Sequence, residues 1–329
     1  MPNSIRIPVF SDVRAAAHRL EGKAVRTPLL SFPVLDETVG GRVLIKAETL
    51  QRTGSFKFRG AYNRIAMIPE RARGAGVVAC SSGNHAQGVA EAARLFGIRA
   101  AIVMPSDAPK MKRDRTAAAG AEIIEYDRAT ENREAIAARI AAERGATYVA
   151  PYDDPGVISG QGTVGLEIAE QATAISALPE LVLAPTSGGG LIAGITLALG
   201  TLMPKAVVRT VEPEGFDDLA RSLAAGERQA NERLSGSVCD ALLTPTPGEI
   251  TFAINSTRLG PGLTVSDAEA LAAVAFAFRE LKLVAEPGGA VALAAILAGK
   301  VDVAGKTVVI VLSGGNIDGD MMAAALASG

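Results

Sequence analysis

The sequence predicts an α/β protein of two lobes, each built on an open, mostly parallel sheet, with a ligand cleft between them. Three observations carry this prediction. Short β-branched runs alternate along the chain with Ala-rich segments at helical spacing, the signature of βαβ units. The 329 residues fit two domains, since a domain takes roughly 100–200. Hydrophobic residues make up 48%, yet aromatics only 4% with no Trp, so a sizeable core must be packed from Ala, Val, Leu and Ile.

In chain order, Val43–Lys46 reads as a strand. Val77–Cys80 is a second, followed by a helix through Ala90 to Phe96. Ala101–Met104 precedes a helix around Lys110–Ala119, and Glu122–Tyr126 precedes a helix over Glu131–Glu143. Leu181–Ala184, Val207–Val211 and Thr307–Leu312 are further strands, each leading into a helical segment. No low-complexity linker or repeat marks a boundary, so motif placement has to. The expected division is a small α/β domain over 52–150 and a large domain from 1–51 and 151–329. Ligands of open α/β sheets sit beyond the carboxyl ends of the strands, which puts the site between the lobes.

A net charge of −2 gives no basic footprint for nucleic acid and no acidic tail. No stretch reaches the roughly 18 apolar residues of a membrane helix, and the polar Met1–Val13 carries no signal-peptide pattern. Two cysteines, Cys80 and Cys239, make no disulfide framework, so the expectation is a cytoplasmic protein with buried, inert thiols.

Five segments carry chemistry. In Ser55-Phe56-Lys57-Phe58-Arg59-Gly60-Ala61 a lysine between two phenylalanines is expected to be partly desolvated, which lowers its pKa and frees an amine for Schiff-base formation; a snorkelling lysine at a helix start is the plainer reading. Ser81-Ser82-Gly83-Asn84-His85-Ala86-Gln87-Gly88 follows a strand and opens a helix, where free N–H groups suit a carboxylate; N-capping by Ser81 or Ser82 explains only one serine. Ser187-Gly188-Gly189-Gly190-Leu191, ahead of a helix over Ile192–Leu199, makes a nest of N–H groups for a phosphate. A dinucleotide turn competes there, with Glu212 near where a ribose-binding acid would fall, although G-x-G-x-x-G is out of register. Ser313-Gly314-Gly315-Asn316 is another strand-end glycine turn, or a simple loop into the last helix. Glu212-Pro213-Glu214-Gly215-Phe216-Asp217-Asp218 offers oxygen ligands for Mg²⁺ or Ca²⁺, or is an acidic turn capping the helix at Leu219.

Taken in order, these segments resemble the fold-type II pyridoxal-phosphate enzymes, specifically the serine/threonine dehydratase and serine racemase family, from about Ala15 to the C-terminus. The resemblance implies a tryptophan-synthase-β-like fold, assembled as a homo-oligomer, a dimer. Ser55–Ala61 is similar to the cofactor-lysine motif, with Phe56 against the cofactor. Ser81–His85 looks like the substrate-carboxylate loop, and Ser187–Leu191 like the phosphate loop. Ser313 looks like the residue facing the pyridine nitrogen. Cysteine synthases carry a Ser-Val-Lys-Asp-Arg type motif and an Asn-Thr pair; Phe-Lys-Phe-Arg and Asn84-His85 are the dehydratase pattern. The chain ends at Gly329, so the regulatory domain of biosynthetic threonine dehydratases is not expected.

By that resemblance Lys57 holds pyridoxal phosphate covalently and removes the substrate α-proton. Asn84 meets the cofactor 3-hydroxyl. Ser187, Gly188, Gly189, Gly190 and Leu191 hold its phosphate. Ser81, Ser82, Asn84 and His85 clamp the substrate carboxylate. The implied reaction is loss of water and then ammonia from threonine, serine or 3-hydroxyaspartate, giving a 2-oxo acid. Ser82 matches the acid/base serine of racemases. Arg133 aligns with an arginine at the distal end of the substrate and suits a second carboxylate, although pairing or solvation in a charged helix start is the plainer reading. Thr244 adds a hydroxyl there. Glu212, the Phe216 carbonyl and Asp218 match a structural Mg²⁺ or Ca²⁺ site. A nicotinamide dehydrogenase and a non-catalytic amino-acid sensor are the alternatives from other classes.

Overall fold

The computed structural model describes residues 6–108, 110–127 and 130–328, so the first five residues of the polar N-terminal stretch lie outside the described part. Its strands are β1 (Leu29–Ser31), β2 (Arg42–Ala47), β3 (Val77–Cys80), β4 (Ala100–Pro105), β5 (Glu122–Tyr126), β6 (Thr147–Tyr148), β7 (Leu181–Pro185), β8 (Val207–Pro213), β9 (Leu263–Val265) and β10 (Thr307–Leu312). They form a six-stranded sheet in the order β1-β2-β10-β7-β8-β9 and a four-stranded sheet in the order β5-β4-β3-β6. All pairings are parallel except β1 with β2.

Helices cover both faces, which is why the strands read as continuous apolar runs rather than alternating ones. In the large sheet Val43, Ile45, Leu183, Val308 and Ile310 pack on one side, and Leu44, Val182, Ala184, Val309 and Val311 on the other. Val77, Ala79 and Ile102 divide in the same way from Val78, Ala101 and Val103 in the small sheet. The core is aliphatic, as the composition requires.

Each of the seven strands read from sequence is present. The helix expected at Ile192 begins two residues earlier, at Gly190, inside the glycine run. The helix expected from Glu131 begins at Arg133, because Asn132 caps it by accepting from Ala135 N at 2.9 Å. The strand order explains how distant motifs meet. β10 lies between β2 and β7, so the chain leaves three adjacent strands at Ala47, Pro185 and Leu312 on one edge of the sheet. No helix among the described residues is long and apolar enough to cross a membrane.

Candidate active site

Ser55 bridges antiparallel to Gly314, and Phe56 N donates to Ser313 O at 3.1 Å. These contacts staple the start of the helix Lys57–Ala66 to the end of β10. Lys57 is the first residue of that helix. It is half-buried, its ammonium facing a protein-walled cavity, and it donates to Pro151 O at 2.8 Å. Desolvation brings its pKa down to about 8. Phe56 lies 5.3 Å from the amine, ring centroid to nitrogen. Phe58 does not shield it: one residue on along a helix is about 100° round, and Phe58 is buried against Tyr62 at 5.6 Å. The expectation of two flanking aromatic shields is therefore half right.

The opposite wall is the helix Asn84–Phe96, whose N-terminus carries no side-chain cap. Ser81 folds onto its own turn, accepting from Gly83 N at 3.1 Å. Neither serine caps the helix, so its first N–H groups stay available to a carboxylate. Gly88 lets this helix approach the Lys57 backbone, because a Cβ there would sit 3.2 Å from Lys57 C. His85 is buried, with Nε2 against Val149 O at 2.9 Å; a carbonyl only accepts, so that nitrogen carries the proton. Burial, and then the Lys57 charge, push its pKa down to about 3, so the imidazole is neutral.

The third wall is the glycine run after β7. Gly189 sits at φ +90° and caps the helix Gly190–Leu202 without a side chain. A Cβ on Gly188 would lie 2.5 Å from the Tyr152 ring, and one on Gly189 would lie 2.9 Å from Asn255 Nδ2. Only glycine fits this cradle. Ser187 Oγ meets Thr244 Oγ1 at 2.6 Å. Ser313 is buried at the end of β10.

Every cofactor and substrate residue expected from sequence lines this one cavity, Leu191, Ser82, Arg133 and Thr244 included. Arg133 is 41% exposed, and its Nε is paired with Glu134 at 2.8 Å. Local pairing and cavity lining therefore coexist. Cys80 also lines the cavity and meets Tyr148 OH at 3.1 Å. Burial pushes both thiols up, Cys239 to about 12, which makes them poor nucleophiles.

Among the lining residues that escaped the sequence reading are Tyr152 and Glu286, and so did the contact role of Asn316. Asn84 Nδ2 donates to Glu286 Oε1, and Asn316 Nδ2 donates to Asn84 Oδ1 at 2.7 Å. A carboxylate only accepts, so these two partners fix which way the Asn84 amide faces. Nothing local in Ala285-Glu286-Pro287 signals this; Pro287 marks only a helix start.

The acidic turn lies apart from the cavity. Glu212 is fully buried, its oxygens accepting from Leu219 N at 3.1 Å and Ala220 N at 2.8 Å. It does cap the following helix, but it is not solvated. Folded back in this way, Glu212 cannot reach a ribose at Gly188–Gly190. Asp218 is also buried; Oδ1 accepts from Asn231 Nδ2 at 2.8 Å, and Oδ2 has no partner among the described residues. Burial raises both carboxyls, Asp218 to about 6. Among the described residues no cluster of three or more His, Cys, Asp or Glu side chains is placed to hold a metal.

An amine of lowered pKa, an uncapped helix end and a glycine nest surround one cavity, an arrangement suited to an enzyme that acts on a carboxylate with a phosphorylated cofactor. The chain belongs to the pyridoxal-phosphate dependent enzymes, whose family description matches residues 20–314. Within that family it is 42% identical to the L-threonine ammonia-lyase of Thermotoga maritima over 95% of this chain and 77% of the relative. It is also 42% identical to the L-threo-3-hydroxyaspartate ammonia-lyase of a Pseudomonas species, over 95% of this chain and 97% of the relative. The structure of maize serine racemase superimposes with a TM-score of 0.91 at 34% identity, covering 98% of both chains. The nicotinamide reading falls with this.

Proposed function

We propose that this enzyme removes water from a small β-hydroxy amino acid bearing a second carboxylate, 3-hydroxyaspartate, and releases a 2-oxo acid and ammonia. The observation that carries the substrate choice is Arg133 in the cavity wall, with only its Nε paired among the described residues. An unpaired carboxylate buried in such a cavity would be costly, and a guanidinium removes that cost.

The cavity residues fit pyridoxal phosphate: an amine for its aldehyde, a cradle that a Cβ would fill for its phosphate, and the neutral Ser313 for its ring nitrogen. When bound, the cofactor supplies an electron sink conjugated to the substrate α-carbon. Lys57, neutral in substantial fraction near pH 8, takes the α-proton. The β C–O bond breaks, and the hydroxyl leaves as water with that proton. The helix Asn84–Phe96 presents its uncapped N–H groups to the α-carboxylate, and neutral His85 adds no competing charge. The released enamine tautomerises and is hydrolysed by water to the 2-oxo acid and ammonia. Ser82, also in the wall, favours a second reading in which a proton returns on the other face and the substrate is racemised.

Buried Glu212 and Asp218, with Asp218 Oδ2 unpartnered, fit a divalent cation completed by the Phe216 carbonyl, which would stiffen the large lobe without touching substrate. The carboxylate pair and a carbonyl are hard oxygen ligands suited to Mg²⁺ or Ca²⁺. A homodimer is proposed as the assembly.

The deciding experiment compares kcat/KM for L-threonine, L-serine and the 3-hydroxyaspartate isomers in wild type and Arg133→Ala. A charge-assisted contact of about 1.5–3 kcal/mol predicts a loss of about 10- to 100-fold for the dicarboxylate alone. Equal loss for every substrate would remove Arg133 from the recognition of a second carboxylate. Formation of D-serine from L-serine, or of L-serine from D-serine, reads the racemase alternative.

A further inference from the structure

The lysine motif contains a second charged residue that the chemistry above does not use. Arg59 lies two residues after Lys57, about 200° round the same helix, and is 1% exposed. Its guanidinium is gripped on two sides. Nε and Nη2 donate to both oxygens of Glu48 at 2.8 Å each. Nη1 and Nη2 donate to the two oxygens of Glu167 at 2.6 and 2.9 Å. Thr163 Oγ1 and Val25 O accept at 3.1 and 3.2 Å. Lys46 Nζ completes the cluster, donating to Glu167 Oε2 and Thr27 O at 2.6 Å each. Two cations thus face two carboxylates, and the buried charges balance.

The partners come from separate elements. Lys46 stands near the end of β2, Glu48 opens the 3-10 turn just after it, and Glu167 stands on the helix Pro155–Ala174. Next to Arg59 the helices touch backbone to backbone: a Cβ on Gly60 would lie 2.9 Å from Val157 O, and one on Gly160 would lie 2.6 Å from Arg59 O. Such a glycine contact sets the distance between helices but leaves rotation about the axis weakly defined. A planar fork held bidentately on both sides defines it.

We propose that Arg59 is a positioning residue whose double fork with Glu48 and Glu167 fixes the rotation of the Lys57 helix and so aims the Lys57 amine into the cavity. The proposal rests on the reading of Lys57 as the residue that carries the cofactor. Stabilisation alone does not require this arrangement, because buried ion clusters are often no more stable than apolar replacements.

Arg59→Lys keeps the charge and removes the fork. Five quantities are measured on the full chain: melting temperature, the absorbance of added pyridoxal phosphate, kcat and KM for the best β-hydroxy substrate, and reductive methylation of Lys57 against pH without cofactor, read by peptide mass. If aim is lost, kcat falls about 100-fold, the scale of a 1 Å misplacement, while KM stays within about twofold. The methylation midpoint then rises from near 8 as the amine reaches water. Glu167→Gln, which keeps one acceptor, shows the same signs at about tenfold, and it carries the test if Arg59→Lys does not fold. A folded variant with wild-type kcat, or one whose loss follows melting temperature while the methylation profile is unchanged, overturns the proposal. The reading of Lys57 itself fails separately, if Lys57→Ala takes up pyridoxal phosphate with the wild-type absorbance.

Discussion

Gly188→Ala tests the phosphate cradle through a single methyl group. The added Cβ would meet three ring carbons of Tyr152 at 2.5 Å. Carbon atoms pack at about 3.5–4.0 Å, so the ring or the loop must yield by about 1 Å. Overpacking on this scale costs about 1–3 kcal/mol. At about 1.4 kcal/mol per tenfold, the Kd for pyridoxal phosphate should rise about 5- to 100-fold if the loop absorbs the strain. The assay is an absorbance titration of the cofactor into the stripped chain, beside thermal unfolding. Gly299→Ala is the control: it has φ +64° and nothing within 4 Å of its Cβ, so it carries only the left-handed penalty. That penalty is about 1–2 kcal/mol of stability and should leave cofactor affinity alone. Replacing Tyr152 by Ala in the Gly188→Ala background should restore part of the affinity, because the two changes share one contact. Wild-type affinity in Gly188→Ala, or no rescue by the second change, refutes a cradle closed by the Tyr152 ring.

Four further outcomes are expected. With a pKa of about 8, roughly a quarter of Lys57 is free amine at pH 7.5, against about 0.1% for a free lysine side chain near 10.5; limiting reagent should therefore methylate Lys57 readily at this pH, and a midpoint above 10 would contradict this. Because the unfolded amine keeps its higher pKa, the unfolded chain binds the extra proton between about 8 and 10.5, so raising pH across that window should stabilise the unliganded fold, a slope absent from Lys57→Met. Asn84→Asp sets a carboxylate against Glu286 and should weaken cofactor binding by about tenfold or more through like-charge repulsion. Chelator should lower the melting temperature if a cation bridges Glu212 and Asp218, and Asp218→Asn should lose the chelator response; an unchanged melting temperature on chelation leaves Glu212 as a helix cap alone.

What the sequence made legible follows from range. Strands buried on both faces announce themselves as apolar runs, and these were read, together with the partly exposed edge strand β5. The three that were not, β1, β6 and β9, have two or three residues each and lie at sheet edges, too short to show a period. The glycine turns were readable because a helix opening inside a Gly run has few other causes. Phe58 was placed beside Lys57 although helical periodicity turns it away; the helix start, weighed as the plainer reading, is what the structure shows, and it leaves Phe56 alone near the amine. Glu286 was out of reach, since its contact with Asn84 spans 202 residues and its own neighbours look like an ordinary helix start. The convergence itself has a topological cause. A chain that laid its strands down in sequence order would separate Lys57, Ser187 and Ser313. Inserting β10 between β2 and β7 brings Ala47, Pro185 and Leu312 side by side, and the bridge from Ser55 to Gly314 then draws the lysine helix onto that edge. The last strand is thus the element on which the site depends most. Substitutions that unpair β10 should abolish cofactor uptake before they unfold the small sheet, whose four strands all lie between residues 77 and 148.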